Sequence, residues 1–544
     1  MSTVTAPRQL PAQHSFLEYD ALARARALLD HGIARVLCGP FDRLESPWLE
    51  PQGIVPQSDD GVVIARGTVG GQPAVVASLE QRFLGGAIGE ISGAKIAQAL
   101  RLAAADSRAG TPTAALLLLE TGGVRLQEAN LGLNGVAEIC AAVLELRPLA
   151  PVIGVIAGET GCFGGSGIVA GLCTRLIVTP HGRIGLNGPV VIEEEAGRAE
   201  FDASDRALIW STYGGGQRHA SGLADEIVPD DAEALREAVQ EAVAAGPRPA
   251  GTHRSERLDV LFSRLASLDP ASPPPPRPAA GSAVDSRGRS WLTALGGKPS
   301  EVIPSVLRAD TSDAVYLAVV PDPGSPFHRA HAGEVGLNES LALAQAIRRT
   351  IDEDAHARQR RAIIAVVDLP SQAYGLTEEK VGLHQTIAAA VDAYAAARAA
   401  GHPVVALVVG TALSGGFLAH GLQADKIFAL DDPGVTVHAM HKAAAARVTM
   451  RTPAQLDSLA RTVMPLSYGI HDWAQLGFCD GLLHVHDADQ PTAPDIANVQ
   501  AALAAAIEES RGGPRDLSAR LDSAAAVRTR AASREVRDKM AEQW

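Results

Sequence analysis

"GCFGGSGIVAG", Gly161 to Gly171, follows the apolar run "PVIGVIAG" and holds five glycines in eleven residues. Glycine loses more backbone freedom on folding than any other residue, so this density implies a need for bare main chain. "TALSGGFLAHG", Thr411 to Gly421, repeats the arrangement after a second apolar run, "PVVALVVG". A strand that ends in such a turn and enters a helix exposes consecutive N–H groups, with the positive end of the helix behind them. The spacing is not that of a phosphate loop: G-x-x-x-x-G-K-[ST] is absent and "GGSGIVAG" does not fit G-x-G-x-x-G. Neither Ser166 nor Ser414 stands in G-x-S-x-G, which excludes a hydrolase nucleophile elbow.

Outward from the two turns, the flanks repeat as well. "AALLLLE", "TGGVRLQEANLG", an alanine-rich helix, "PVIGVIAG", the glycine turn, "TRLIVTP" and "GRIGLNGP" follow in order in the first half. "AIIAVVDLP", "SQAYGLTEEKVG", "TIAAAVDAYAAARAAG", "PVVALVVG", the second turn, "DKIFALDD" and "PGVTVHAM" follow in the second. Gly122 and Gln372 lie 250 positions apart, Gly164 and Gly415 251, Asn187 and His438 251. Upstream, "GEISGAKIAQAL" at Gly89 matches "GEVGLNESLALAQAI" at Gly333. Continuous apolar runs alternating with helical stretches predict strands buried on both faces in an α/β fold. The order of matched elements predicts two tandem domains related by internal duplication. The expected boundaries are 1–268, a proline-rich linker at 269–288 ("DPASPPPPRPAAGSAVDSRG"), 289–515, and a charged, solvated C-terminal helix at 516–544.

The chain has 544 residues, 46% hydrophobic and 20% charged, with a formal net charge of −14. That composition describes globular domains and argues against a general nucleic-acid binder. The five cysteines form no CxxC pair, and "HVHD" near His484 alone makes no metal site, so buried free thiols and no metal are expected. No uninterrupted apolar run reaches the ~18 residues of a bilayer span and the N-terminus lacks a signal-peptide core, so the cytoplasm is the expected compartment.

Two N–H donors, one from each of two adjacent turns, converge where a carbonyl oxygen gains charge during reaction. Carried over by position from the family resemblance given below, the donors of the first hole are expected at Gly123 and Gly165, with Val124 and Ser166 within one residue. Those of the second are expected at Ala373 or Tyr374 and Gly415 or Gly416, and Gly122 and Gln372 stand on the same strand-end turns. Gly164 and Ser414 shape the helix entries. Arg125 is read as pairing with Glu128 rather than meeting a substrate carboxylate. His438 is the expected proton donor, because histidine titrates near neutrality.

These motifs resemble the paired carboxyltransferase domains of acyl-CoA carboxylases in the crotonase superfamily. The first half, with "GGVRLQEA" and "GRIGLNGPVVIEEEAG", resembles the beta-type domain, and the second, with "SQAYG" and "SGGFLAHGLQADKIFALDDPGVTVHAM", the alpha-type domain. "FDRLESPWLEPQGIVPQ", "LETGGVRLQEANLGL" and "DDPGVTVHAMHKAAAAR" resemble more closely the beta and gamma parts of the malonate decarboxylase family, over about residues 15 to 480. The resemblance implies a crotonase-like fold, a beta–gamma fusion, and loss of CO2 from a malonyl thioester through an enolate held in a backbone oxyanion hole. It implies a substrate carried on a phosphopantetheine-type (dephospho-CoA-derived) arm of an acyl-carrier subunit, and a transferase subunit that loads the carrier. No membrane partner and no biotin are implied, since a Met-Lys-Met site is absent. Further oligomerisation, and which hole takes the thioester, stay open. The rival readings are a component of a biotin-dependent carboxyltransferase and a non-catalytic crotonase-like scaffold. Replacing Gly165 is expected to block the oxygen's approach and to spare the fold.

Overall fold

The structure, a computed structural model, describes residues 14–158, 160–268 and 285–544. The proline-rich segment 269–284 lies outside the described residues. At its far end Ser286 already caps the helix Arg287–Gly296, so 285–288 belong to the second half rather than to a linker.

Each half is built on one sheet. In the first, β1 (Arg35–Leu37), β2 (Val62–Val69) and β3 (Gln72–Leu79) form an antiparallel edge. The parallel strands β4 (Ala114–Leu118), β5 (Val152–Ile156), β6 (Arg175–Val178) and β7 (Glu226–Ile227) follow in spatial order. The second sheet repeats this plan. β8 (Ser300–Ile303), β9 (Val306–Asp310) and β10 (Ala314–Val319) are antiparallel, and β11 (Ala362–Leu369), β12 (Val404–Leu413), β13 (Lys426–Leu430) and β15 (Gly481–Leu483) parallel. A short β14 (Thr436–His438) pairs with the end of β12. Every residue of β4 and β5 is buried, as their continuous Ala, Val, Ile and Leu runs predict.

Helix α1 (Glu90–Arg108) enters from Gly89 (φ −108°, ψ −157°), and α4 (Leu337–Glu353) from Gly336 (φ −102°, ψ −159°). The repeat therefore matches Gly89 to Gly336, three residues beyond the Gly333 read from the sequence. Helix α2 (Ala129–Leu146) is apolar enough to suggest a membrane span. Of its 18 residues 16 are buried, between α1, the rest of the first half and the second half, so its apolarity serves the core.

The halves share one apolar core. Helix α3 (Gly165–Leu172), which leaves the glycine turn, lies against α6 (Leu383–Ala399). A Cβ on Gly171 would stand 2.9 Å from the Cβ of Ala388, so a larger residue there would force the helices apart. Polar ties cross the same boundary: Arg147 pairs with Asp392 at 2.7 Å, and the Gln423 amide donates to the Ala137 carbonyl at 3.0 Å.

The C-terminal segment departs from the expected solvated helix. It forms short helical turns and then α8 (Ala531–Gln543), which packs on α1 of the first half with Val536 and Met540 fully buried. Its charges meet buried partners. Arg530 (2.9 Å) and Arg537 hold Glu138 of α2, the Ser533 hydroxyl donates to Glu90 at 2.8 Å, and the Trp544 indole donates to Asp106 at 2.9 Å. The alternation of charge in the tail resembles a solvated face. The signal for burial lay elsewhere, in the lone glutamate of "NGVAEICAAV".

Burial raises the pKa of Glu138, but Arg530, Arg537 and Arg101 outweigh it and hold the carboxyl below the usual carboxylate range. Glu138→Gln would leave buried guanidiniums without a counter-charge, and is expected to cost about 3–5 kcal/mol in chemical denaturation at neutral pH. Because the folded-state pKa is depressed, this stabilisation is present above the ordinary glutamate value of ~4.3 and is lost as pH falls below it. The gap between wild type and variant should therefore close on acidification.

Candidate active site

The two parallel strands β4 and β5 end side by side, and their turns touch. Gly123 has φ +109° and Gly164 φ +59°, both in the region that favours glycine. A Cβ on Gly164 would lie 3.0 Å from the Cα of Gly123 and 3.7 Å from the amide nitrogen of Val124. Most N–H groups of this corner are taken. Gly122 donates to Gly85 O at 3.0 Å, Gly123 to the Thr121 hydroxyl at 3.0 Å, and Gly164 to Leu186 O at 2.7 Å. The N–H groups of Val124 and Gly165 find no acceptor among the described residues, and that of Ser166 finds none either. Val124 and Gly165 thus present a pair of donors from adjoining turns, with the first turn of α3 behind them. Ser166 contributes main chain alone, because its hydroxyl is buried without a partner in an apolar pocket with Ile96, Leu119 and Ile139.

The second half repeats the corner with different residues. Ser414 takes the left-handed conformation (φ +56°) held by glycine in the first half, and its hydroxyl donates to Ala439 O at 2.7 Å. A parallel bridge joins Val335 to Gln372 as another joins Ile88 to Val124, so Gln372 is the counterpart of Val124. Pairing Gly122 with Gln372, as the spacing suggested, is off by two residues. Gly416 is glycine for space, since a Cβ there would sit 2.6 Å from Ser371 O. The Ala373 N–H donates to Val335 O at 3.0 Å, and Tyr374 N–H meets no acceptor among the described residues. The Gly415 N–H, counterpart of the free Gly165 donor, is bound at 2.8 Å by Oε1 of Gln372 itself. The Gln372 amide nitrogen donates in turn to Asn187 Oδ1 at 2.7 Å, and Asn187 donates to Ala373 O at 2.9 Å.

Asn187 and Leu186 were not singled out as site residues, although they lie in the quoted "GRIGLNGP" segment. They join the two corners: Leu186 O binds Gly164, a Cβ on Gly415 would lie 3.5 Å from the Leu186 side chain, and Asn187 clasps Gln372. Their own N–H groups are held by Glu379 of α5 (Leu376–Val381), at 3.1 and 2.7 Å. Burial pushes Glu379 up to about 7, against the opposing pull of Arg218 and these N–H donors.

His438 stands on β14 beside Leu413, stacked on Tyr468 with ring centroids 3.8 Å apart. Its Nδ1 lies 2.9 Å from Met440 O and 3.2 Å from Met440 N, so the main chain of its own loop holds the ring. Burial pushes its pKa down to about 3. A ring buried this deeply is a poor acid near neutral pH, against the expectation for His438. His441, three residues on, stands differently: its Nδ1 is 3.4 Å from Glu195 of the first half, and that carboxylate raises its pKa against partial burial. The Tyr374 ring is 6.4 Å from His441, and its hydroxyl is buried beside Ser371, Gln372 and Ser414. Arg125 is fully buried and bound by Asp60 at 2.7 Å and Glu128 at 2.8 Å, the pairing its sequence context predicts. His486 is paired with Asp495, and no cluster of metal-ligating residues occurs among the described residues.

Comparison with known proteins places this geometry. The family model described as malonate decarboxylase gamma subunit matches residues 330–544. A malonyl-S-ACP:biotin-protein carboxyltransferase, MADC of Malonomonas rubra, is 42% identical over 41% of this chain and 73% of its own length. This chain belongs to the malonate decarboxylase family. MADD of the same organism, also described as a malonyl-S-ACP:biotin-protein carboxyltransferase, is 35% identical over 40% of this chain and 75% of its own length. A chain of a Pseudomonas malonate decarboxylase hetero-tetramer in complex with malonate is 57% identical over 49% of this chain and 96% of that one, with a TM-score of 0.47. The family's beta-type and gamma-type parts are fused here in one chain as two tandem α/β domains, each on its own sheet.

The glycine at 165 has a reason beyond an approaching oxygen. A Cβ there would lie 2.5 Å from Cγ1 of Val136, in the core rather than toward the donors, so replacing Gly165 does not spare the fold. Gly165→Ala is expected to lose about 1–3 kcal/mol of stability from overpacking. Adding Val136→Ala should recover part of that loss, giving a favourable coupling above ~0.5 kcal/mol in a double-mutant cycle of unfolding free energies.

Proposed function

We propose that this chain decarboxylates a malonyl thioester, presented on the phosphopantetheine-type arm of an acyl-carrier subunit, to the acetyl thioester and CO2. The thioester oxygen is bound by the N–H groups of Val124 and Gly165. As the C–C bond to the carboxylate breaks, its electron pair moves into the carbonyl and the oxygen becomes an enolate. Both donors belong to turns fixed by other hydrogen bonds, so they strengthen as charge develops with little reorganisation, and loss of one such donor costs on the order of 10²–10³ in rate. A proton then adds to the carbon and the acetyl thioester is formed. Arg125, committed to Asp60 and Glu128, does not clamp the substrate carboxylate, whose desolvation favours departure of CO2.

The observation that carries this reading is Gln372 on Gly415. A transferase must also stabilise charge on an acceptor such as the ureido oxygen of biotin, and the second donor corner is suited to that. Here its donor at Gly415 is already filled by a side-chain carbonyl of the same turn, itself clasped by Asn187. One open corner suffices for decarboxylation. No biotin takes part in this reading, and the partners are the carrier and the subunit that loads malonate on it.

The names of MADC and MADD favour the second reading, transfer to a biotin protein. The purified chain supplied with malonyl-carrier protein should release CO2 at a rate unchanged by excess avidin, without any biotin protein added. Release that depends on an added biotin protein and stops with avidin would establish the transferase instead.

A further inference from the structure

The side chain of Gln372 does more than cover a donor: it sits in the second corner as a bound ligand would. The donors of the first corner are the N–H groups of Val124 and Gly165, and the register makes Gln372 and Gly415 their counterparts. The main-chain N–H of Gln372 finds no acceptor among the described residues, as that of Val124 finds none. Gly415 N–H donates to Oε1 of Gln372 at 2.8 Å, and a Cβ on Gly415 would lie 3.2 Å from the same oxygen. On its other side the amide donates from Nε2 to Asn187 Oδ1 at 2.7 Å. A carbonyl oxygen on a main-chain donor, with the adjoining N–H on a side-chain acceptor, is half of a urea. The corner is filled by an internal copy of the group that a carboxyl acceptor would present there.

We propose that Gln372 is the residue that decides the fate of the carboxyl group, and that its removal opens an acceptor site for a cyclic urea such as biotin. The inference rests on the decarboxylase reading above. The ureido oxygen takes the place of Oε1 on Gly415 N–H, and one ureido N–H takes the place of Nε2 on Asn187. Asn187 is held independently of Gln372. Its N–H donates to Glu379 at 2.7 Å, its Nδ2 to Ala373 O at 2.9 Å, and its carbonyl accepts from the Tyr213 hydroxyl at 2.9 Å. The two corners flank one residue: Leu186 O accepts from Gly164 at 2.7 Å, and a Cβ on Gly415 would lie 3.5 Å from the Leu186 side chain. CO2 formed at the first corner is therefore released beside the second.

Transfer to the urea balances without a further reactant. The bond between the carboxyl carbon and the methylene carbon breaks, and its electron pair enters the thioester as an enolate. A ureido nitrogen bonds the CO2 carbon. The proton that nitrogen loses ends on the enolate carbon, so the products are the acetyl thioester and an N-carboxyurea. Charge grows on the ureido oxygen as its neighbour loses the proton, and the freed Gly415 donor stabilises it. With Gln372 in place the urea is shut out and CO2 escapes.

The test supplies the full chain with malonyl-carrier protein labelled in its free carboxyl carbon, and with excess free biotin or the smaller cyclic urea imidazolidinone. The measured quantity is carboxylated urea formed per CO2 released, from which a change in overall rate cancels. Gln372→Val gives the turn the residue its counterpart carries, and Gln372→Ala is the second variant. Each should raise the ratio on the order of 10²-fold over wild type, the worth of one such donor. Acetamide carries the amide that Gln372→Ala has lost, so it should refill the corner and inhibit transfer in competition with the urea. A folded variant whose ratio stays within about threefold of wild type overturns the proposal. So does loss of the fold in both variants, which would make Gln372 a structural tie. Wild type that releases no CO2 removes the decarboxylase reading instead, a result distinct from either.

Discussion

Main chain against main chain at Gly123 and Gly164 is the constraint on which the site depends. Two N–H donors belonging to residues 41 positions apart serve one oxygen only if the strands that carry them end together and nothing stands between the turns. The parallel pairing of β4 and β5 brings the ends together. Thr121 and Phe163 then stitch the turns with bonds of 2.8 Å (Thr121 N to Gly161 O) and 3.1 Å (Phe163 N to Thr121 O). With the turns fixed, the N–H groups of Thr121, Gly122, Gly123, Phe163 and Gly164 have acceptors, and those of Val124, Gly165 and Ser166 have none among the described residues. A buried N–H left without a partner carries a desolvation cost, and it persists where a ligand is to complete it.

Duplication produced that corner twice, and the difference that decides its use is Gln372 in place of Val124. In the second half the strand ends, the left-handed residue and the helix entry are all kept, but Gln372 folds its amide back on Gly415. A neutral amide oxygen fills the space an oxyanion would take. Its clasp by Asn187, from the other half, turns a potential binding corner into part of the interface. The same bond network therefore holds the halves in register and leaves one corner open.

Much of the fold was legible in the sequence because strand burial and turn chemistry are local. The runs "AALLLLE" and "PVIGVIAG" and their counterparts read as buried strands, and the glycine turns mark where they stop. The duplication was legible for the same reason, though only to within two or three residues: Gln372 pairs with Val124 and Gly336 with Gly89. What the sequence hid was which N–H groups are free, since that depends on acceptors such as Leu186 O and Val335 O from distant segments. Gly165 was hidden likewise, because Val136 in front of its missing Cβ lies 29 positions away. The tail's charges were misread because their partner, Glu138, is nearly 400 positions upstream.

Burial also sorts the ionisable groups around the cleft. Desolvation disfavours charge, so it pushes Glu378 and Glu379 up to about 7 and His438 down to about 3. Of the two carboxyls, Glu379 is the one that holds the N–H groups of Leu186 and Asn187. A histidine so deeply buried stays neutral and offers no acid. The seam between the two halves brings the two corners together: Leu186 O binds Gly164 of the first, and Asn187 clasps Gln372 of the second.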